Sequence, residues 1–312
     1  MPIVNKYSGV VVPMVTPFNE KHGIDRDAVS TLIKHVIGKD THPFVLGTTG
    51  ESASIPRVIK GEVVASAVLA SGGKAMVYAG ISGNSLYDAI EEARLYHDLG
   101  ADAFVATMAS YYPADDDQML RFFEKLADEI PGPLVIYNIP TTTHLSIPIP
   151  VVDRLSRHPN VVAFKDSERS MERLKTAGAL WKDRDDFSFL TGWAAKSMEA
   201  MQLGAHGIVP GTANLTPALY REICAAVLAG DDVAASAAQE KADRISALYQ
   251  ADRTLSRGLP VFKAMLAAYG LCQRHMMPPM YSLSADEEAD LKIFLETHYG
   301  DLDRINSVGK HE

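Results

Sequence analysis

Eight short apolar runs, each followed by a helical pattern, leave this chain few folds to choose from. They are GVVVPMV from residue 9, FVLG from 44, AMVYAG from 75, DAFVAT from 102, LVIYNIP from 134, VVAFK from 161, FSFLTG from 187 and GIVPG from 207. The runs are continuously apolar instead of alternating, the pattern of strands buried on both faces in parallel sheets. Between them, Met119, Phe122, Phe123, Leu126 and Ile130 make the stripe of an amphipathic helix, and Val29, Leu32, Ile33, Val36 and Ile37 make an earlier one. Thr216-Pro217 reads as an N-cap with proline at the first helical position, and Gly100 and Gly204 sit where glycines end helices. LGADAFV and LGAHGIV are two copies of one helix-to-strand junction. Eight β-then-α units at roughly 20–35-residue spacing predict an α/β chain closed into a (β/α)8 TIM barrel. An open doubly wound sheet is the alternative, but it usually carries a Gly-rich phosphate turn after its first strand. Val15-Thr16-Pro17-Phe18 is nothing like one.

From about Asp231 onward the strand signals stop, and Pro260 to Tyr269 and Ser284 to Tyr299 read as helices. No linker rich in Gly, Ser or Pro intervenes, so residues 1–230 are expected to form the barrel and 231–312 a helical region packed on it. A hydrophobic content of 47 % over 312 residues is enough for a large core. The formal charge of −9, with no basic cluster, argues against nucleic acid or an anionic membrane as partner and favours small-molecule chemistry. Cys224 and Cys272, each inside a predicted helix, suggest neither a disulfide framework nor a metal cluster, which fits a reducing cytosol. The opening MPIVNKYSGVVVPMV lacks the layout of a signal peptide, and no run of 18 apolar residues follows, so a cytoplasmic protein is expected.

In such a barrel the C-terminal strand ends share one mouth, and polar residues there converge. Those ends carry Thr48 and Thr49, Tyr111 and Tyr112, Tyr137, Lys165 and Gly192. One primary amine among phenols and hydroxyls suits a Schiff-base enzyme, in which a desolvated lysine attacks a ketone as the free amine. Proton transfer at the nitrogen needs a hydroxyl relay, which Tyr137, Thr48 and Tyr112 can form. The turn GTTGE, Gly47 to Glu51, presents backbone N–H groups for a carboxylate. A 2-oxo acid carries ketone and carboxylate adjacent.

GTTGES (47–52), YYP (111–113), YNIP (137–140), FKDS (164–167), the opening G-x6-TPF (9–18) and P-x2-KA-x-L-x3-G (260–270) together resemble the dihydrodipicolinate synthase and N-acetylneuraminate lyase family, class I pyruvate-dependent aldolases. The resemblance covers nearly the whole chain. It implies a barrel with a C-terminal helical extension, usually a homotetramer, working without metal or organic cofactor. It also implies Lys165 as the Schiff-base lysine, Tyr137 as the catalytic tyrosine, and Thr48 and Tyr112 as relay hydroxyls, Tyr112 being donated by a neighbouring subunit in many members. Gly47, Thr48 and Thr49 fall on the carboxylate turn; Gly192, Trp193, Val209, Thr142 and His144 are further candidate substrate-binding residues of this chain.

Each residue also has a plainer reading. Lys165 alone would be a snorkelling or ion-paired lysine with Asp166 or Glu168 as partner, and Tyr137 a strand tyrosine; the accompanying motifs favour catalysis for both. Tyr111 is the packing residue of its pair. Glu51 is read as completing a capping box, and Asp115 to Asp117 as capping the next helix. His144 stands open between a surface loop and the substrate. The ten histidines show no paired metal spacing, so no metal site is expected. Departures from the family pattern bear on substrate. Thr142 stands where members that make dihydrodipicolinate carry an arginine for the carboxylate of aspartate semialdehyde, and Ala194-Ala195 stand where sialic acid lyases carry an acidic pair. A lyase, aldolase or dehydratase, acting on a 2-keto-3-deoxy sugar acid is therefore the favoured expectation, with dihydrodipicolinate synthesis as the alternative. A silent 2-oxo-acid-binding protein would need the turn but not the amine.

Overall fold

The computed structural model describes residues 5–307. Its strands are β1 (Gly9–Pro13), β2 (His42–Val45), β3 (Tyr78–Gly80), β4 (Ala103–Thr107), β5 (Leu134–Asn138), β6 (Val161–Asp166), β7 (Ser188–Thr191) and β8 (Gly207–Ile208). Each lies parallel to its neighbours, and β8 returns to β1, closing the barrel in sequence order. Helices separate successive strands, giving the (β/α)8 architecture predicted from the apolar runs.

Continuous apolarity follows from two cores that share the strands. Val11, Phe44, Tyr78, Val105, Val135 and Leu190 form the cluster inside the barrel. Their chain neighbours Val10, Val45, Phe104, Ile136 and Phe189 belong to the larger cluster beneath the helices. At the β1–β8 seam the backbones approach so closely that a Cβ on Gly207 would lie 2.3 Å from the Gly9 carbonyl oxygen. Between β5 and β6 the register shifts after Leu134↔Val161, so that Val135 faces Ala163 and Tyr137 faces Lys165. This irregularity brings Lys165 into phase with the inward side of β5.

The repeated junctions are the same device used twice. Gly100 (φ +93°) and Gly204 (φ +103°) are left-handed helix ends, and Ala101 and Ala205 donate back to Tyr96 and Ala200 carbonyls at 2.9 Å each. The next residue then docks on the preceding strand. The Asp102 carboxylate accepts from the Val77 amide at 2.8 Å, and His206 Nδ1 accepts from the Phe189 amide at 3.0 Å.

After β8 the described residues are helical or irregular, with helices Pro217–Ala229, Asp232–Gln250, Leu255–Ala268 and Ala285–Ser307. Ala238, Ala242, Ile245, Tyr249, Phe262 and Met265 join the same core as the barrel helices. Three local expectations change. The helix expected from Pro260 begins at Leu255, with Pro260 inside it. Cys272 lies beyond that helix, in a bend. Thr216 takes the N-cap position but its hydroxyl turns to the Thr212 carbonyl, so Pro217 alone marks the helix start. Asp115 does cap its helix, in a reciprocal capping box with Gln118. No helix among the described residues is long and apolar enough to cross a membrane.

Candidate active site

The strand register decides what faces Lys165. Tyr137 and Lys165 are paired across β5 and β6, and the Lys165 Nζ lies 3.6 Å from the Tyr137 ring centroid and 5.0 Å from that of Phe44. The lysine is 4 % exposed. Burial pulls its pKa below the ordinary lysine range, while the Tyr137 phenol pulls the other way. Among the described residues no carboxylate lies within ion-pair distance of it. The partners expected for a plain structural lysine are engaged elsewhere: Asp166 and Glu168 meet Arg173 Nε at 3.0 and 3.3 Å. Alternation explains Asp166, since adjacent strand residues point to opposite faces. Asn138 binds the same two carboxylates at 2.8 and 3.0 Å, forming a polar brace outside the barrel wall.

The Tyr137 hydroxyl lies 3.4 Å from Thr48 Oγ1, a long contact in which either oxygen can donate. Thr48 belongs to a turn bounded by two non-glycine residues in the left-handed region, Leu46 (φ +57°) and Glu51 (φ +60°). Each such residue costs about 1–2 kcal/mol relative to ordinary backbone, so the surroundings must hold the turn. Gly80 makes room for it: a Cβ there would lie 2.1 Å from the Leu46 carbonyl oxygen. Thr16 Oγ1 donates to the Gly50 carbonyl at 2.6 Å. Inside the turn the Gly50 and Glu51 amides donate to the carbonyls of Gly47 and Thr48. The amides of Thr48 and Thr49 have no acceptor among the described residues, and both threonines are partly exposed. An amine, a phenol and a hydroxyl therefore meet at the C-terminal mouth of the barrel, the hydroxyl on a turn whose Thr48 and Thr49 amides lack an acceptor among the described residues.

The Dihydrodipicolinate synthetase family model matches residues 6–298. The chain belongs to this family. The 4-hydroxy-tetrahydrodipicolinate synthase of Teredinibacter turnerae is 33 % identical over 287 residues, covering 92 % of this chain and 97 % of that one. The dihydrodipicolinate synthase structure from Bacteroides thetaiotaomicron superposes with a TM-score of 0.89 at 32 % identity, covering 94 % and 99 %. That from Acinetobacter baumannii, complexed with pyruvate, gives 0.84 at 26 %, covering 95 % and 99 %. The protein is thus a lyase of the dihydrodipicolinate synthetase family.

Other residues singled out from the sequence fall less tightly around the amine. Val209 is buried in the inner cluster. Gly192 donates to the Asp166 carbonyl at 2.6 Å, and a Cβ on it would lie 2.0 Å from Ser167 Oγ, so a larger residue there would have to turn the Ser167 hydroxyl away. Trp193 follows it, partly exposed. Thr142 and His144 are exposed; the Thr142 hydroxyl turns to the Ile139 carbonyl, and His144 ends its helical turn at φ +58°. Tyr112 is 77 % exposed and Tyr111 76 %, their rings edge to face at 5.0 Å. Within one protomer, then, Tyr112 does not reach the Tyr137–Thr48 pair, and Tyr111 does not pack into the core as expected. Asn84 fixes the Ser110 and Tyr111 amides, which leaves both rings projecting from the rim.

Glu51 is also different from the expectation. It forms no capping contact. Its carboxylate is buried against Lys263 Nζ at 2.6 Å and accepts from the Met277 amide at 2.8 Å. Lys263 was the residue that reading by strand ends could not find, although a lone lysine on the apolar helix PVFKAML needs a buried partner. Among the described residues no group of three His, Cys, Asp or Glu side chains is placed to hold a metal.

Proposed function

We propose that this lyase holds a 2-oxo acid as a Schiff base on Lys165, with pyruvate as donor or product. The observation that carries the reading is a buried amine without a carboxylate partner among the described residues, set directly across the strand register from Tyr137. The free amine adds to the ketone carbon to form a carbinolamine. Tyr137 protonates the departing hydroxyl, water leaves, and the iminium withdraws electrons from the adjacent C–H or C–C bond. Thr48 passes the proton onward from Tyr137, and the Thr48 and Thr49 amides hold the carboxylate. Tyr112, exposed in one protomer, completes the relay of a neighbouring protomer in a homotetramer. The pyruvate complex of the Acinetobacter relative supports this donor. Incubation with pyruvate and borohydride should irreversibly label Lys165 alone; no label, or label elsewhere on folded protein, sinks the mechanism.

For the second substrate, the names of the relatives favour the 4-hydroxy-tetrahydrodipicolinate synthase reaction, pyruvate with aspartate semialdehyde, over cleavage of a sugar acid. One observation favours a 2-keto-3-deoxy acid with an uncharged tail. Thr142, where that arginine would stand, offers a neutral hydroxyl already turned to its own backbone. Hydrogen bonds to a charged group are worth about 1.5–3 kcal/mol, so a synthase lacking that cation forfeits roughly 10–150-fold in kcat/KM. Measuring both reactions on one preparation decides between them. Efficient condensation without sugar-acid cleavage establishes the synthase reading, and the reverse establishes the other.

A further inference from the structure

The turn that carries Thr48 and Thr49 is anchored from outside the barrel. Lys263, on the helix Leu255–Ala268 and 212 residues away in sequence, donates to Glu51 Oε1 at 2.6 Å and to the His275 carbonyl at 2.7 Å. The Met277 amide donates to Glu51 Oε2 at 2.8 Å, so both carboxylate oxygens are fixed. Both side chains are 1 % exposed. Complete removal of two ions from water offsets most of their attraction, and an apolar pair would hold helix to barrel at least as well. An ion pair does two things that an apolar pair does not: it fixes direction, and it cancels charge. Glu51 is left-handed at φ +60°, and its direction sets how the turn closes. It also ends the turn that carries the two free amides, and an uncompensated carboxylate there would repel any anion those amides bind.

We propose that Lys263 and Glu51 are positioning residues for the substrate carboxylate, holding the Thr48 and Thr49 amides convergent and cancelling the negative charge at the end of the turn. The proposal rests on reading that turn as the carboxylate site. Its test compares the full-length wild type with Lys263→Met/Glu51→Gln, which removes both charges but leaves an acceptor for Met277. The readout is the concentration of pyruvate, and separately of its uncharged methyl ester, that half-saturates borohydride trapping on Lys165. The pair's loss should raise the pyruvate value about tenfold or more while moving the ester value about twofold at most. Lys263→Met alone, which leaves Glu51 uncompensated, should weaken pyruvate further than the double change does. Equal shifts for acid and ester, or a lower melting temperature with both values unchanged, overturn the proposal. A wild type that is never trapped overturns the Schiff-base reading instead, and calorimetric titration of pyruvate against its ester then tests the positioning role of Lys263 and Glu51 on binding alone, with the same selective loss expected and equal loss overturning it.

Discussion

Two lysines in this molecule are buried to nearly the same depth and keep opposite company. Lys263 has a carboxylate and a carbonyl on its amine, and it joins an outer helix to a turn at the barrel mouth. Among the described residues Lys165 has two aromatic rings and no carboxylate. Burial pulls both pKa values down; for Lys263 the contact with Glu51 opposes the pull and holds the ammonium form, whereas Lys165 has only the Tyr137 phenol on that side. Depth of burial therefore does not distinguish a structural amine from a reactive one. The partner does, and partner loss should expose the difference in opposite ways.

The largest effect expected is from Lys165→Ala. Turnover and borohydride trapping should fall to background, because no other described amine is buried without a carboxylate at the mouth, while melting moves by a few degrees at most. Residual activity near wild type would place the chemistry elsewhere. Next comes Tyr137→Phe, which keeps the ring against Lys165 and removes the proton carrier. A loss of about 10²–10⁴ in kcat is expected, with pyruvate still bound. If Thr48→Val costs as much alone as with Tyr137→Phe, the two hydroxyls act as one chain; additive barriers would separate them.

For Lys263→Met the order of effects reverses, and stability suffers first. Removing one member of a buried pair leaves an uncompensated charge and costs about 3–5 kcal/mol. At about 2–4 °C per kcal/mol for a chain somewhat shorter than this one, thermal melting should fall by roughly 6–20 °C. A melting curve unchanged from wild type would mean that Glu51 finds another partner or a proton, and the contrast between the two lysines would weaken.

Much of this was legible in the sequence where a local rule governs the outcome. The eight strands follow from continuous apolar runs, and the Gly100 and Gly204 junctions from left-handed helix ends. Lys165, Tyr137 and Thr48 converge because topology puts every strand's C-terminal end at one mouth. Strand alternation also removes Asp166 from Lys165's reach, a rule that the ion-pair reading overlooked. Glu51 was misread because a capping box is local and its true partner lies 212 residues on, where no periodicity points to it. The exposure of Tyr111 and Tyr112 was not legible at all: whether a ring at the rim packs inward depends on where Asn84 ties the loop backbone.

The smallest effect tests the comparison most directly, through proton linkage. Burial sets the folded pKa of Lys165 below its ordinary 10.5. Between the two values the unfolded chain holds a proton that the folded chain lacks, so the Lys165 contribution to stability rises with pH by at most about 1.4 kcal/mol per unit. Below the folded value both states are protonated and the full penalty of burying the ammonium applies; above 10.5 the penalty is gone. Lys165→Met removes this dependence. The variant's advantage over wild type in urea unfolding should therefore be greatest near neutral pH and shrink toward about pH 10. Lys263 keeps its Glu51 partner in both proteins, so its titration cancels in the difference. A difference that is flat with pH would mean an amine no easier to deprotonate than a surface lysine. One that grows with pH would mean that an anion holds Lys165 as Glu51 holds Lys263, and the two lysines would then be doing the same job.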